Sequence, residues 1–118
     1  MPTVALGCNP SLTSAIGNDF RAPHLELAQE LWVCGEKRDA FLGISTSGKS
    51  INVCYAMAVS KARGMLTCAL TGPAPNPMSD SADLSITVPG GRVADIQELH
   101  RAVYHAVCRL IEADGFRV

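Results

Sequence analysis

The chain has 118 residues, of which 47% are hydrophobic and 18% charged, and its formal net charge is −1. This composition is typical of one folded domain and excludes a disordered polypeptide. Because Lys and Arg are not in excess, it also argues against nucleic acid as a direct partner. The five cysteines are widely spaced and include no C-x-x-C pair, which indicates free thiols in a reducing, cytoplasmic compartment. No apolar run reaches membrane-spanning length, so we expect no membrane partner.

Short apolar runs alternate with amphipathic stretches along the chain. Strands are predicted at residues 3–6, 40–44, 65–70 and 84–88. Helices are predicted at residues 11–16, 24–37, 50–63 and 93–113. Continuous apolar strands that alternate with helices are typical of a parallel sheet covered on both faces. The fold prediction is therefore one α/β domain over residues 1–118, a three-layer α-β-α sandwich of Rossmann-like type with about four, mostly parallel, strands.

Three further predictions concern helix ends, helix faces and the loop between the last two strands. Ser11 is the predicted N-cap of the first helix. Pro73, Pro75 and Pro77 predict a loop without regular structure. The last helix should bury one apolar stripe, formed by Ile96, Leu99, Val103, Val107 and Leu110.

The sharpest local feature is a polar turn at residues 45–50, the serine turn, which joins a buried strand directly to a helix. It carries four hydroxyl residues, Ser45, Thr46, Ser47 and Ser50. The first amides of a helix have no internal partner and carry partial positive charge, so a phosphate suits this place. Each hydroxyl can donate one further hydrogen bond. We therefore predict a phosphate-binding turn, and the alternative is an ordinary strand-to-helix turn with a serine cap.

The same residues also match the Walker A pattern of nucleotide-binding loops, Gly43-x-x-x-x-Gly48-Lys49-Ser50. In that interpretation Lys49 would contact nucleotide phosphates and Ser50 would bind magnesium. Gly43, however, falls inside the predicted strand, and no later strand ends in an Asp that could act as the Walker B acid. A P-loop-like nucleotide binder is therefore the minority hypothesis.

Residues 42–50, Leu-Gly-Ile-Ser-Thr-Ser-Gly-Lys-Ser, resemble the signature of the sugar-isomerase (SIS) family in its phosphoheptose isomerase and DiaA-like branch. That branch usually has Asn in place of Lys49. Residues 12–20, 64–72 and 96–100 resemble further segments of the same branch, so the likeness covers nearly the whole chain. The resemblance implies a SIS fold and a cytoplasmic enzyme of carbohydrate metabolism. Such an enzyme isomerises sedoheptulose 7-phosphate, a ketose, to an aldose phosphate, in heptose biosynthesis for lipopolysaccharide.

The resemblance also implies roles for individual residues. The substrate phosphate is bound by the four hydroxyl residues of the turn, Ser45, Thr46, Ser47 and Ser50. Gln97 and His105 are two ligands of a zinc ion, and His105 is also catalytic, in proton transfer. The DiaA-like relatives lack that histidine. Family members form homo-oligomers, dimers or tetramers, with sites at subunit contacts.

Part of the family pattern has no match in this sequence. The family domain begins with long helices, a strand, a glycine-rich turn and a helix bearing a His-x-x-x-Glu-like pair. We expect the remaining zinc ligands and a catalytic glutamate in that part, since a zinc site takes three or four ligands. The absent strand should leave an exposed apolar seam on the sheet. The alternative to an isomerase is a non-catalytic SIS-type module that senses a phosphosugar or binds a partner.

Overall fold

A computed structural model describes residues 2–20 and 23–115. The helices are α1 (Pro10–Asp19), α2 (Glu26–Cys34), α3 (Ile51–Ala62), α4 (Pro77–Ser81) and α5 (Val93–Gly115). The strands are β1 (Ala40–Ser45), β2 (Leu66–Thr71) and β3 (Leu84–Thr87), which form one parallel sheet in the order β1-β2-β3. The predicted parallel α/β class is confirmed, with three strands instead of about four. In the described ranges, none of the helices is long and apolar enough to cross a membrane.

The hydrophobic core lies between one face of the sheet and the helices α2, α3 and α4. Strand alternation turns Phe41, Gly43 and Ser45 of β1 toward this side. A side chain added at Gly43 would press on Met78 of α4 and Val53 of α3, each 2.9 Å from its first carbon atom. The helices therefore approach β1 more closely than any larger residue would permit. The buried cluster consists of Leu31, Phe41, Ala56, Met57, Met65, Ala69 and Met78.

The opposite face of the sheet is largely open. It carries five large apolar side chains that are 46–57% exposed, Leu42, Ile44, Leu66, Leu84 and Ile86. We call this set the open face. Among the described residues β1 pairs only with β2, and an apolar groove of about 810 Å³ runs along β1 beside residues 2–6. The structure thus contains the exposed apolar seam that the sequence analysis predicted.

The predicted strand at residues 3–6 is wrong, because residues 2–5 have no regular structure and a turn begins at Leu6. A short apolar run becomes a strand only where a neighbouring strand satisfies its backbone groups. The chain is held here instead by the Gly7 amide, which donates to the Glu30 carboxylate at 2.6 Å. The apolar residue types alone predicted a buried strand at these positions. Among the described residues, no neighbouring strand pairs with them.

The first helix begins before the predicted cap. Asn9, rather than Ser11, is the N-cap of α1, and its Oδ1 accepts a hydrogen bond from the Leu12 amide at 3.1 Å. Pro10 occupies the first helical turn, where a missing amide costs nothing. An Asn-Pro pair is a stronger start signal than the serine that follows it, and the helix continues through Gly17 to Asp19.

The proline-rich segment is not entirely irregular, as the sequence analysis had predicted, since its last proline opens the short helix α4. Asn76 caps this helix reciprocally with Ser79. The Asn76 side chain accepts from the Ser79 amide at 2.9 Å, and the Asn76 amide donates to the Ser79 hydroxyl at 3.0 Å. Proline is tolerated in the first turn of a helix, so Pro77 starts this helix where it would break a longer one.

The buried side of α5 differs from the predicted stripe. Leu99 and Leu110 are 41% and 69% exposed, and the buried residues of this helix are Ile96 and His100. Ile96 packs against Gly72 and Gly90, which orients the first turn of the helix. His100 lies four residues further along the same side, so it takes the inward position that periodicity alone assigned to Leu99.

Asp83 links β2 to the start of β3 through Thr67. Its carboxylate accepts hydrogen bonds from the Thr67 hydroxyl at 2.6 Å and from the Thr67 amide at 2.8 Å. The hydroxyl bond is the main cause that lowers the pKa of Asp83, with the amide bond and the charge of Lys61 acting in the same direction. A carboxyl group whose pKa is lowered by folding stabilises the protein above its unfolded pKa, and this stabilisation is lost as the pH falls through the folded pKa.

We predict that Asp83→Asn lowers the thermal unfolding midpoint at neutral pH, because the charged acceptor for Thr67 is lost. The difference from the wild type should shrink as the pH falls below the ordinary carboxyl pKa of 3.8, where Asp83 of the unfolded chain becomes protonated. It should be smallest below the lowered pKa of the folded protein, where the folded wild-type group is neutral as well. Thermal unfolding followed by circular dichroism across pH measures this, with Asp19→Asn on an exposed helix end as the control. A midpoint difference that does not change with pH would contradict the assignment.

Candidate functional site

The candidate site lies at the carboxyl end of β1, where the serine turn leads into α3. In parallel α/β sheets, ligands bind beyond the carboxyl ends of the strands. Ser50 is the N-cap residue of α3 with an extended backbone, but its side chain makes no capping hydrogen bond. Its Oγ lies 2.8 Å from the Oγ of Ser45 instead. Ser50 therefore does not form the ordinary serine cap that was the alternative interpretation of this turn.

Three of the four predicted hydroxyl residues form one cluster. The Oγ of Ser45 is buried and accepts a hydrogen bond from the Gly48 amide at 3.1 Å, and the Oγ of Ser47 lies 3.5 Å away. The Ser47 hydroxyl in turn accepts from the Lys49 amide at 3.2 Å. These contacts bring Ser45, Ser47 and Ser50 together around the beginning of α3, as the sequence predicted.

The first amides of α3 lie beside this cluster. The first backbone hydrogen bond of the helix runs from the Cys54 amide to the Ser50 carbonyl at 2.9 Å, so the amides of Ile51 and Asn52 precede it. Amides in this position have no intrahelical acceptor and lie at the positive end of the helix dipole. Hydroxyl groups, free amides and a partial positive charge together are suited to a phosphate or another anion.

Thr46, the fourth hydroxyl residue, is held by the loop that follows β2. Its carbonyl accepts a hydrogen bond from the Gly72 amide at 3.2 Å. A side chain at Gly72 would overlap the Thr46 carbonyl oxygen, so this close approach requires glycine. The loops after β1 and β2 therefore meet at the same edge of the sheet, as expected for adjacent parallel strands.

Asn76 is the residue of this second loop that sequence reasoning missed. It is 4% exposed, and its side-chain amide donates to the Thr71 hydroxyl at 3.0 Å and to the Pro73 carbonyl at 3.2 Å. Its Oδ1 lies directly against Gly48, which has a φ of +63° and no room for a side chain. The spacing of Asn76 and Ser79 is a capping pattern that can be recognised in the sequence. The contact between Asn76 and the serine turn cannot be recognised there.

The Walker A interpretation has little support in this geometry. Gly43 lies within β1, where it permits α3 and α4 to pack closely against the sheet, and it is not part of a phosphate-binding loop. The strands β2 and β3 end in Thr71 and Thr87, and neither ends in an acidic residue.

Gln97 and His105, the predicted zinc ligands, are both exposed on α5. Their separation of eight residues corresponds to about 12 Å along the helix and about 80° around it. In the part of the chain that the structure describes, no three His, Cys, Asp or Glu side chains are placed to hold a metal ion. Because zinc takes three or four ligands, these two residues do not by themselves fit a zinc site.

The two residues also differ in their relation to the serine turn. Gln97 follows Ile96, whose side chain packs against Gly72 and so lies next to the second loop. His105 is two turns further along, with its ring centroid 5.1 Å from that of Tyr104. The structure therefore places the turn of α5 that carries Gln97 near the serine turn, and His105 farther away.

His100, to which the sequence assigned no role, is the buried histidine of α5. It is 3% exposed, and among the described residues its Nε2 has no hydrogen-bond partner. Buried polar atoms in native proteins nearly always have a partner. The helix therefore carries a buried polar nitrogen between its two exposed candidate ligands.

Together these features define a parallel α/β domain with a hydroxyl-lined turn at a helix N-terminus, a place that is suited to an anion. No protein-family model matches the sequence. Over 117 residues, or 99% of this chain, it is 38% identical to a phosphoheptose isomerase of Aneurinibacillus thermoaerophilus and 37% identical to one of Geobacter metallireducens. The chain spans 59% and 61% of the lengths of these two relatives.

The solved structures that this chain resembles are also phosphoheptose isomerases. A phosphoheptose isomerase from Francisella tularensis matches with a TM-score of 0.88 at 29% identity, and one from Neisseria gonorrhoeae with 0.86 at 36%. The matches cover 95% and 92% of this chain, and 60% and 61% of those chains. The chain is thus a homologue of the phosphoheptose isomerases over nearly its whole length and has the fold of the corresponding part. This confirms the resemblance drawn from residues 42–50.

We predict that Gly48→Ala destabilises the protein by at least about 2 kcal/mol, because a left-handed backbone and an overlap with Asn76 both oppose the added methyl group. Gly17→Ala is the control, since no atom lies within 4 Å of the added carbon and alanine favours the helix. The control should be neutral or stabilising by up to about 1 kcal/mol. Urea denaturation measures the unfolding free energy of both variants. Equal stability of the two would contradict the close contact between Gly48 and Asn76.

Proposed function

We propose that the chain binds sedoheptulose 7-phosphate and contributes the phosphate-binding part of a phosphoheptose isomerase active site. The observation that carries this proposal is the serine turn. Its hydroxyl groups cluster at the start of α3, and its cap residue leaves the first amides of the helix free of a side-chain cap. The named isomerases that are 37–38% identical to the chain supply the substrate class.

The geometry supports a specific mode of phosphate binding. The ester phosphate would accept hydrogen bonds from the amides of Ile51 and Asn52 and from the hydroxyls of Thr46, Ser47 and Ser50. The helix dipole favours the negative charge. With the phosphate held there, the sugar extends toward the second loop and the first turns of α5. Fixing one end of a flexible substrate in this way supplies part of the orientation that catalysis requires.

The isomerisation moves a proton between adjacent carbons of the sugar and converts the ketose to an aldose phosphate. We propose His105 as the acid/base group, because an imidazole can both accept and donate a proton and this one is accessible on α5. Zinc is part of the proposal only as an ion whose ligands come from more than one chain, since Gln97 and His105 are two ligands of the three or four required.

We also propose that the protein is a cytoplasmic homo-oligomer, a dimer or a tetramer. The open face supports self-association, because monomeric proteins rarely leave a contiguous apolar patch of this kind in water. The unpaired edge of β1 supports it too, since its residues 40–44 contain neither the charge nor the proline that usually protects a sheet edge. The five cysteines are all free thiols, as expected in a reducing compartment.

A non-catalytic phosphosugar-binding module is the second candidate function. The observation that favours it is the incomplete set of metal ligands in the described part of the chain, combined with an intact serine turn. Binding through the turn requires only residues that the structure brings together. Turnover requires further groups, and residues 2–20 and 23–115 do not place them near the turn.

We predict that sedoheptulose 7-phosphate raises the thermal unfolding midpoint, because a ligand that binds only the folded state stabilises it. Ser47→Ala should weaken binding by about tenfold or more, since it removes a hydrogen bond to a charged group. Ser14→Ala, on the exposed surface of α1, is the matched control. Titration calorimetry measures the affinities, and an isomerase assay with and without zinc separates the enzyme from the binding module. Absence of binding by the folded wild type would refute both functions.

We predict that Leu42→Lys reduces the oligomer mass measured by light scattering, because it places a charge on the open face, beside the unpaired edge of β1. Val33→Lys is the control, since Val33 is 74% exposed on α2 and lies outside that face. Circular dichroism should show that both variants remain folded. A wild-type protein that is already monomeric would contradict the proposed self-association.

A further inference from the structure

Lys49 is the one charged residue of the serine turn, and the hydroxyl cluster surrounds its backbone. Its amide donates to the Ser47 hydroxyl at 3.2 Å, and the next residue is Ser50, the N-cap of α3. The side chain is exposed. A lysine carries its ammonium group on a flexible four-carbon stem. The stem of Lys49 therefore starts within the candidate phosphate site, and its Nζ can reach a group bound there.

The charge of Lys49 is not neutralised by a carboxylate in the described part of the chain. The ion pairs found there join Lys61 to Asp83, Arg92 to Asp95 and Arg101 to Glu98. The serine turn otherwise offers only neutral hydroxyls and amides. Lys49 thus adds one full positive charge to a site whose remaining attraction for anions comes from hydrogen bonds and the helix dipole.

We propose that Lys49 binds the phosphate of the sugar ligand directly and makes the site selective for dianionic phosphomonoesters. This inference rests on the proposed phosphosugar function of the serine turn. Hydroxyl and amide donors attract an anion only as dipoles, and this attraction is weaker and shorter in range than that of a full positive charge. An ammonium group adds an attraction proportional to the ligand charge, which salt can screen because the group is exposed. The lysine therefore favours the dianion.

The geometry separates this role from that of a nucleotide-binding lysine. In a Walker A loop, the first glycine opens a loop that wraps the phosphates of a nucleotide. Here Gly43 is buried in β1, five residues before Gly48, and the turn between strand and helix is short. A turn of this length suits one terminal phosphate, and Lys49 lies beside that phosphate.

The test compares the wild type with Lys49→Asn, which removes the charge, and Lys49→Arg, which keeps it. Lys37→Asn is the matched control, because this exposed lysine precedes β1 and lies at the opposite end of the strand. Calorimetry measures the dissociation constants of sedoheptulose 7-phosphate, of inorganic phosphate and of ATP with magnesium at low and at high salt. Thermal unfolding without ligand checks that each variant is folded.

We expect Lys49→Asn to weaken binding by about five- to tenfold at low salt, with a much smaller difference at high salt. Lys49→Arg should retain most of the affinity, and Lys37→Asn should match the wild type. Binding should also weaken as the pH falls below about 6, where the phosphate ester becomes a monoanion. This weakening should be smaller in Lys49→Asn.

Two other results would overturn the inference, and they differ from a failure of the proposed function. If Lys49→Asn binds the sugar phosphate as tightly as the wild type, with the same salt dependence, Lys49 has no role and the phosphate site stands. If the substitution affects only binding of ATP with magnesium, the lysine serves a nucleotide. If the folded wild type and all variants fail to bind the sugar phosphate, the proposed function falls, and this inference with it.

Discussion

The candidate site depends on one constraint, the close packing of the serine turn against the loop after β2, which consists of two contacts. Gly48 lies against the buried side chain of Asn76, and Gly72 lies against the carbonyl of Thr46. Neither approach leaves room for a side chain, and Asn76 is itself held by Thr71. The conformation of the turn is therefore fixed by packing from outside it as well as by its own hydrogen bonds. A hydroxyl that accepts from an amide of the turn, as that of Ser47 does, can still donate to a ligand, and so can the first amides of α3.

Sequence patterns predicted β1, β2, β3 and α3 to within one or two residues, because each is a short apolar or amphipathic run that ends at a glycine or a polar turn. The same patterns failed where pairing or orientation decides the outcome. Residues 3–6 are as apolar as a strand but find no partner strand. Leu99 fits the period of α5, yet Ile96 packs on Gly72 and turns His100 inward. The spacing of apolar residues shows that a helix has an apolar and a polar face, but tertiary contacts determine which residues are buried.

The hydroxyl residues of the site were predictable because they are consecutive and their chemistry is local. Asn76 was not, since its contact with Gly48 joins residues 28 positions apart and exists only because β1 and β2 run parallel in register. Lys49 is an intermediate case. Its presence is obvious in the sequence, and its interpretation as a nucleotide-binding lysine depended on Gly43. The structure places that glycine in the sheet, where it serves helix packing.

The open face and the side chains of Gln97 and His105 are exposed among the described residues. The chain corresponds to about three-fifths of its relatives, and within the described residues its apolar sheet face and its two candidate metal ligands both point to surfaces that lack a counterpart. The serine turn, the candidate phosphate site, needs no such counterpart, because the second loop of the same sheet packs against it. The proposed binding and the proposed turnover therefore have different requirements. Binding would depend on contacts within the chain, and turnover would depend on further groups at the exposed side of α5.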